Sequence, residues 1–448
     1  MTPPDSMRWD LLLSGSRHGT DRPEPADDPR SPFQRDYDRI VFSGHFRRLG
    51  RKTQVHPLNE NDNIHTRLSH SMESASLGRS LGQHVGRFLA GRGQLPAGLD
   101  PEHVGQIVQA ACLAHDIGNP PFGHSGEEAI KGWFAANADL FAGVPEAHLA
   151  DLTRFDGNAM ALRILVCTGF EEGGTGMRPT LAVLGALMKY PRTAANAPAG
   201  KDKFSCLQSE AGVLDEVAGR LGLPGEPGNY ARHPLAFLTE AADDICYRVM
   251  DLEDAMELGI LPGDFLLTEF KDALDMDAAR VADYAARPMR ARNGSLRAAI
   301  MGRAVPACVA AFTTYHEAIM RGAFGASLLE AAADPLCQRL LEVYGGVEDR
   351  LFRSRRKVEL ELGAQRSLGL LLDTLMPAAL AVCGGAARRG PGTRAQVAAI
   401  LGRERVAALQ AGDAACPYQA AVLVLDYLAG MTDHYATGLS RKFLGLGG

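Results

Sequence analysis

The spacing of apolar residues along the chain predicts a mostly helical protein. From residue 36 onward, apolar positions recur every three or four residues, and the alternating patterns typical of strands are scarce. The clearest apolar stripe comprises Val104, Ile107, Val108, Ala111 and His115. This stripe predicts a helix over 104–116, ended by Gly118, with His115 facing the protein interior.

Two longer helices are predicted, one before and one after this segment. The first, over 65–88, carries His70 on its broad apolar side. The second, over 234–254, has an apolar stripe and a separate edge of polar residues at intervals of four. These polar residues are Asp243, Tyr247 and Asp251. Because residues four apart lie on the same side of a helix, the three side chains are expected to face one region.

Less regular segments separate the predicted helices. Residues 1–35 are rich in Pro, Asp and Arg and are expected to form a partly ordered arm. Loops are expected at 169–178, 193–201 and 386–392, the second of them mobile. Ser125 and Glu128 fit a capping box, which predicts that His124 lies just before the start of the next helix.

The composition is that of an ordinary globular protein. Hydrophobic residues make up 46% of the 448 residues and charged residues 22%. No apolar run is expected to cross a bilayer and no signal peptide is recognised, so a cytoplasmic protein without a membrane partner is expected. The eight cysteines form no CxxC pair and are expected to be reduced core residues.

The charge distribution favours a local anion site over an extended nucleic-acid surface. The formal net charge is −6, which argues against a surface devoted to nucleic acid. Basic residues nevertheless cluster at 47–52, 201–203 and 353–357. Such clusters in an acidic protein are compatible with a cationic pocket for a compact polyanion, although each cluster could also be solvated surface.

The stretch LAHDIGNPPFGHSGEE, residues 113–128, concentrates the side chains that suggest chemistry. His115 and Asp116 are adjacent, and an imidazole beside a carboxylate suits a divalent cation. The two prolines that follow fix the path of a turn towards His124, which is followed by Glu127. This arrangement is too particular for an ordinary surface loop.

A metal site can be assembled from residues of three predicted helices, namely His70, His115, Asp116 and Asp243. Two imidazoles and two carboxylates leave open positions on an octahedral ion. Such an ion polarises a phosphoryl oxygen and generates hydroxide from bound water. Each of the four side chains could instead be a hydrogen-bonded core residue, an alternative that the residues alone leave open.

Seven segments, taken in order, resemble the HD-superfamily deoxynucleoside triphosphate triphosphohydrolases, the bacterial dGTPase family. They are RIVFSGHFRRLGRKTQV (39–55), HTRLSHSMESASLGRSLG (65–82), AHDIGNPPFGHSGE (114–127), RFDGNAMALRIL (154–165), KYP (189–191), EAADDICYRVMDLEDA (240–255) and GMTDHYA (430–436). Each segment alone is moderately specific for the family. The ordered set, which spans most of the chain, is strong evidence of the resemblance.

The resemblance implies an all-α protein with an HD-type catalytic core over 36–262. A C-terminal helical region over 263–448 would complete the site and provide oligomer contacts. The implied activity is metal-dependent hydrolysis of a dNTP to a deoxynucleoside and tripolyphosphate, with Mg²⁺ or Mn²⁺ as the cofactor. A homo-oligomer such as a hexamer, and a nucleotide effector or single-stranded DNA as a partner, are further implications.

The resemblance also implies which residues hold the metal and which move a proton. The implied metal ligands are His70, His115, Asp116 and Asp243. His124 would be the acid–base residue near the α-phosphate, with Glu127 orienting it. Chemistry supports this role, because departure of a 5′-alkoxide benefits from a proton donor and a histidine can donate a proton at neutral pH.

The implied substrate-binding residues are Gln54, Arg67, Lys189, Tyr247 and Asp251. Arg67 and Lys189 would hold phosphates, and Gln54 would read the 3′-hydroxyl of the sugar. Tyr247 and Asp251 would contact the sugar and the phosphates. A tyrosine ring packs well on a flat deoxyribose, where an added 2′-hydroxyl would clash, so selection against ribonucleotides is expected.

Alternatives stay open at this point. Another HD phosphohydrolase, such as a nucleotide phosphodiesterase or an alarmone hydrolase, is the alternative enzyme, although alarmone hydrolases typically have acidic residues where 117–119 is Ile-Gly-Asn. A nucleotide- or single-stranded-DNA-binding regulator is the non-enzymatic alternative. Gln54, Glu127, Lys189 and Tyr247 could each be structural. The favoured substrate is dGTP, and the cations without an assigned role are Arg353, Arg355, Arg356 and Lys357.

Overall fold

The computed structural model describes residues 6–19, 28–55, 58, 61–167, 176–352, 355–384, 394–409 and 413–446. Helices dominate these ranges, and the strands described form one short antiparallel pair. The all-α fold class expected from the sequence is confirmed.

The helices of the first half are α1 Trp9–Leu12, α2 Pro32–Phe42, α3 Gly44–Arg48, α4 Arg67–Gly91, α5 Pro101–Ala114, α6 Gly123–Ala136, α7 Glu146–Thr153, α8 Gly157–Val166, α9 Leu181–Leu187, α10 Ala211–Leu221 and α11 Ala236–Glu257. Those of the second half are α12 Phe265–Phe270, α13 Ala278–Ala286, α14 Met289–Met320, α15 Leu328–Ala331, α16 Pro335–Phe352, α17 Arg355–Val382, α18 Arg394–Leu401, α19 Arg403–Ala407, α20 Cys416–Ala429 and α21 Asp433–Phe443. The strands are β1 Gly225–Glu226 and β2 Asn229–Tyr230. Short 3₁₀ turns occur at Leu49–Arg51, Ala138–Phe141, Ala194–Asn196 and Gln208–Glu210.

Helices α4, α5 and α11 form the centre of the first hydrophobic core. Helix α4 starts with a capping box, in which the Thr66 hydroxyl accepts a hydrogen bond from the Ser69 N–H. Helices α4 and α5 pack very closely because Gly82 has no side chain; a Cβ there would lie 2.7 Å from the carbonyl oxygen of Val104. Helix α11 contacts both, so residues of all three helices meet.

A second hydrophobic core supports α6 from the other side. It is built from helices α6, α7, α17, α20 and α21, and its fully buried residues include Leu368, Leu372 and Leu425. Leu368 of α17 packs against the first turns of α6, where a Cβ on Gly126 would lie 3.3 Å from the leucine. The C-terminal helices therefore support the segment that carries the His124 motif.

One described helix corrects the expectation that no apolar run could cross a membrane. By length and composition alone, α14 could span a bilayer. Its residues Ile300, Cys308 and Phe312 are fully buried and belong to the first hydrophobic core. Burial of this face against α4 and α11 accounts for the apolar character of the helix.

The three long helices expected from the sequence are present as α4, α5 and α11, with ends shifted by two or three residues. The capping box expected at Ser125 and Glu128 is wrong. Helix α6 begins at Gly123, after Phe122 in the left-handed conformation, and no side chain caps it. His124 consequently lies in the first turn of α6 and not before the helix.

The expected arm and loops are partly described. Residues 1–35 contain α1 and the start of α2, and Arg17 pairs with Thr180 through a backbone bridge. Most of the loop at 169–178 and all of that at 386–392 lie outside the described residues. In the 193–201 loop, Thr193 and Ala194 are buried, and its mobility stays a prediction, as do the region boundaries.

The expectation that all cysteines are reduced is wrong for one pair. Cys383, after the end of α17, forms a disulfide with Cys416, the first residue of α20. The six other cysteines are free. The helix packing of the second core brings the pair together across 33 residues of sequence, a proximity that the scattered cysteine pattern does not reveal.

Candidate metal centre and active site

Three of the four expected metal ligands form a compact cluster. Candidate ligand atoms of His70 from α4, His115 after α5 and Asp243 from α11 all lie within 4.8 Å of one another. Asp243 Oδ1 is 3.0 Å from His70 Nε2 and 3.4 Å from His115 Nε2. Within the described ranges, this is the only group of histidine, cysteine and acidic residues that meets such a spacing.

The donor set fits a divalent cation. His115 Nδ1 donates to the carbonyl oxygen of Cys112 at 2.6 Å, which leaves Nε2, a buried atom without a hydrogen-bond partner, as the coordinating nitrogen. Burial opposes a charge on His115, but Asp116 and Asp243 raise its pKa to about 9. The carboxylates thus favour a positive charge at this point, which a metal ion can supply in place of the proton.

Asp243 itself is held in the ionised form. Burial alone would raise the pKa of its carboxyl, but the charge and close contact of His115 and the hydrogen bond with His70 hold that pKa well below its ordinary value. An ionised carboxylate between two imidazoles is the form that binds a hard divalent cation. The surroundings of Asp243 therefore do not resemble those of an ordinary buried helix residue.

The fourth expected ligand, Asp116, lies beside the cluster. Its Oδ1 is 3.6 Å from His115 Nε2 and accepts a hydrogen bond from the Asn119 side chain. Its Oδ2 is 2.8 Å from Nη1 of Arg67, the residue expected to hold a phosphate. Asp116 is outside the 4.8 Å group, so its role as a ligand and that of Arg67 as a phosphate binder stay predictions.

The two side chains expected to move a proton lie in contact, and their acid–base role stays a prediction. His124 Nδ1 lies 3.1 Å from Glu127 Oε2, and 82% of the His124 side chain is exposed. Glu127 is buried, and its Oε1 accepts a hydrogen bond from the Gly157 N–H at 2.9 Å. The first turn of α6 thus presents an exposed imidazole whose Nδ1 contacts a fixed carboxylate.

Lys203 is a third member of this group. Its Nζ is 3.7 Å from both Glu127 Oε2 and Asp156 Oδ2. Burial would raise the pKa of Glu127, but the His124 hydrogen bond and the Lys203 charge lower it to about 2. Glu127 is therefore ionised at neutral pH and can accept a hydrogen bond from His124.

Lys189 lies in a cluster of cations around one carboxylate. Its Nζ is 3.2 Å from Glu240 Oε1, and Arg232 Nη1 is 2.7 Å from Glu240 Oε2. Burial would lower the pKa of Lys189, but the charges of Glu240 and Asp244 raise it, so the ammonium stays charged. Lys189 and Arg232 thus share Glu240, with the charge of Asp244 close to Lys189.

Two of the expected sugar-binding residues, Tyr247 and Asp251, lie on α11, and the third, Gln54, lies before α4. Tyr247 is partly buried, and Asp251, two turns from Asp243, is buried. Burial raises the pKa of Asp251 to about 6. Gln54 carries a buried Oε1 without a hydrogen-bond partner, as expected of an atom available to a ligand. The contacts of these residues with substrate stay predictions.

Two residues without an assigned role in the sequence analysis hold the segments around the site together. Lys52 Nζ donates to the carbonyl oxygens of Asn119 and Ala429, at 2.5 Å each. Asp433 accepts hydrogen bonds from the Phe122 N–H at 2.8 Å and the Thr53 hydroxyl at 2.7 Å. Both lie in segments that carry the family resemblance, which is the only sequence signal for them.

A further residue that sequence reasoning missed is Tyr344 of α16, whose hydroxyl donates to Asp251 at 2.7 Å. No local pattern around Tyr344 indicates this contact. Of the unassigned cations, Arg353 and the side chains of Arg355 and Arg356 lie outside the described residues. Lys357 is buried, with its Nζ 3.8 Å from Glu361.

Comparison with known proteins covers the residues of this site. The HD domain family model matches residues 67–155, which include His70, His115 and His124. A deoxyguanosinetriphosphate triphosphohydrolase-like protein of Pseudomonas aeruginosa is 40% identical over 98% of this chain and 99% of the relative. A protein of the same description from Synechocystis sp. is 36% identical over 98% of this chain and 100% of the relative.

A deoxyguanosinetriphosphate triphosphohydrolase of Cronobacter sakazakii is 32% identical over 92% of this chain and 93% of the relative. These similarities extend far beyond the HD match, over both hydrophobic cores and the helices that carry Asp243, Tyr344 and Asp433. The chain therefore belongs to the deoxyguanosinetriphosphate triphosphohydrolase family of HD-domain phosphohydrolases.

Proposed function

We propose that this protein hydrolyses deoxynucleoside triphosphates, with dGTP favoured, to a deoxynucleoside and tripolyphosphate. The observation that carries the proposal is the cluster of His70, His115 and Asp243 beside the His124–Glu127 pair. The names of the relatives support dGTP as the substrate, and the metal cluster and nearby cations of the site support hydrolysis of a triphosphate. The reaction is an attack of water on the α-phosphorus with departure of the 5′-oxygen.

The residues that would hold a divalent ion, Mg²⁺ or Mn²⁺, are His70, His115, Asp116 and Asp243. Such an ion supplies polarisation of the phosphoryl oxygen and a lower pKa for the attacking water. The side chains themselves contribute by fixed geometry, because the Cys112 carbonyl sets the tautomer of His115 and Asn119 sets the orientation of Asp116.

His124 delivers a proton to the leaving 5′-oxygen. Ionised Glu127 accepts a hydrogen bond from Nδ1 of His124, so that the exposed side of the ring presents Nε2 to the substrate. Glu127 is in turn fixed by the Gly157 N–H and by Lys203. General acid–base help of this kind is worth about 10²–10⁴-fold in rate.

The cations around the site stabilise the triphosphate. Arg67 and Lys189 hold the phosphates in this proposal, with Lys203 beside the His124–Glu127 pair. Cations that already pair with carboxylates keep further N–H donors for an anion, and the Arg67 Nε is buried without a partner. The ring of Tyr247 packs on the deoxyribose, which disfavours a ribonucleotide.

Product analysis tests the proposal. The protein is incubated separately with each dNTP and with GTP, in the presence of Mg²⁺ or Mn²⁺, and the products are separated by ion-exchange chromatography. Deoxynucleoside plus tripolyphosphate is expected, fastest with dGTP, with no turnover after chelation. Release of monophosphate plus pyrophosphate, or of orthophosphate, would assign the protein to a different HD reaction.

A further inference from the structure

Tyr344 connects the C-terminal region to the proposed sugar pocket. Its side chain is buried, and its hydroxyl donates a hydrogen bond of 2.7 Å to Oδ2 of Asp251 on α11. Its ring meets the ring of Tyr247 edge-on, with centroids 5.4 Å apart and an interplanar angle of 78°. One residue of α16 thus contacts both α11 residues that are assigned to the sugar.

The second oxygen of Asp251 is buried and has no hydrogen-bond partner among the described residues. A carboxylate oxygen accepts hydrogen bonds readily, and leaving it unpaired inside a protein costs free energy. Asp251 lies eight residues beyond Asp243 on the same edge of α11, about 12 Å along the helix axis. The unpaired oxygen is therefore free to accept a donor from a bound nucleotide, about two helical turns from the metal centre.

A guanidinium group holds the two tyrosine rings as a unit. The Arg248 guanidinium lies 4.5 Å from the centroid of Tyr247 and 5.7 Å from that of Tyr344. Arg248 is in turn fixed by Asp244, at 3.1 Å to the carboxylate and 2.9 Å to the carbonyl oxygen. The orientation of Asp251 is therefore set by a packed group that includes Tyr344 and not by α11 alone.

We propose that Tyr344 is a positioning residue for sugar recognition: by holding Oδ2 of Asp251, it aims Oδ1 at a hydroxyl of the nucleotide sugar. This inference rests on the proposed function. Without the Tyr344 hydroxyl, the Asp251 carboxylate can rotate and its free oxygen no longer has a fixed direction. A nucleotide whose sugar lacks the hydroxyl should bind equally well whether or not the free oxygen of Asp251 has a fixed direction.

The test compares dGTP with 2′,3′-dideoxyguanosine triphosphate, which lacks the 3′-hydroxyl. In Tyr344→Phe, which keeps the ring and removes only the hydroxyl, kcat/KM for dGTP is expected to fall about tenfold, the worth of one hydrogen bond. The value for the dideoxy compound is expected to stay nearly unchanged. The preference for dGTP should therefore fall by about the same factor.

Tyr418→Phe is a matched control. Tyr418 of α20 is also a buried tyrosine that donates to a buried carboxylate, that of Asp151, at 2.6 Å, but it lies outside the proposed site. This variant should lose a similar hydrogen bond and a similar amount of stability. Its preference for dGTP over the dideoxy compound should equal that of the wild type.

The outcomes separate this inference from the proposed function. Equal losses on both nucleotides in Tyr344→Phe, or an unchanged preference, would overturn the role of Tyr344 while leaving triphosphate hydrolysis intact. Absence of tripolyphosphate with the wild type would contradict the proposed function instead. The dissociation constant of the dideoxy compound divided by that of dGTP then decides the Tyr344 inference, and this ratio must fall in the variant.

Discussion

At the scale of single residues, a main-chain contact determines which nitrogen of His115 can act. The Nδ1–H is taken by the Cys112 carbonyl one helical turn earlier, so Nε2 faces Asp243. His124 has the opposite environment, because its side chain is exposed and its Nδ1 faces a carboxylate. Two histidines nine residues apart thereby have environments that suit the different tasks proposed for them, metal binding and proton transfer.

Substitutions should separate these two tasks. His124→Ala is expected to bind Mn²⁺ like the wild type but to lose turnover by about 10²–10⁴-fold, because only the proton donor is removed. Asp243→Ala is expected to lose both, because it removes the anionic member of the cluster. Calorimetry of Mn²⁺ binding and an assay of tripolyphosphate release distinguish the two variants. Wild-type turnover in His124→Ala would exclude an acid–base role for His124.

The sequence predicts residues with a distinctive local setting better than residues whose role arises from distant contacts. His115, Asp116 and His124 are evident from one short stretch, and Asp243 from its place on a helix edge. Lys52 escapes sequence reasoning because its partners include a main-chain carbonyl 377 residues away. Carbonyl acceptors have no residue type, so no sequence pattern records them.

At the scale of helices, the periodicity of apolar residues predicts α4, α5 and α11 but not where α6 begins. The start of α6 is determined by Phe122, whose left-handed backbone is held by the Asp433 carboxylate from the far end of the chain. A local capping rule applied to Ser125 and Glu128 therefore gives the wrong start. Tertiary contacts override local signals most readily at helix ends.

Lys52 should be essential for the turn between α5 and α6. Lys52→Met would leave the carbonyl oxygens of Asn119 and Ala429 without their buried donor, which should lower the free energy of unfolding by about 1–3 kcal/mol. Turnover should fall as well, since Asn119 also holds Asp116. Denaturant unfolding measures the loss of stability. The control Lys201→Met, at an exposed lysine, should lose neither stability nor turnover.

The contribution of Lys52 to the free energy of unfolding should also depend on pH. Burial lowers the pKa of Lys52 to about 7 from its ordinary 10.5, so between these values the unfolded chain binds more protons than the folded one. The stability of the wild type relative to Lys52→Met should therefore rise as pH increases from 7 towards 10. Unfolding curves of both proteins at pH 7 and 9 measure the difference; a constant difference would contradict the lowered pKa of Lys52.

At the scale of the whole molecule, the site is shared between the HD core and the C-terminal helices. Residues 67–155 supply two histidines of the cluster and the His124–Glu127 pair. Tyr344 and Asp433, far outside that range, hold Asp251 and the turn before α6. The C-terminal helices thus provide positioning contacts that an HD domain alone lacks. A homo-oligomer stays a prediction.

The disulfide between Cys383 and Cys416 should stabilise this shared arrangement. It joins α17 to the start of α20, the helix that ends at Ala429, the acceptor of the Lys52 hydrogen bond. A bond that closes a loop of this length typically contributes about 2–4 kcal/mol, mainly by restricting the unfolded chain. Cys416→Ala should therefore melt at a lower temperature than the oxidised wild type.

The oxidation state of the cysteines can be determined by counting free thiols. Thiol titration of the wild type, unfolded without reductant, should find six free cysteines, and reductant should lower its melting temperature. Cys416→Ala serves as the control, because its melting temperature should not respond to reductant. Eight free thiols in the wild type would show that the pair is reduced in the isolated protein. The contact between α17 and α20 would then depend on packing of the second core alone.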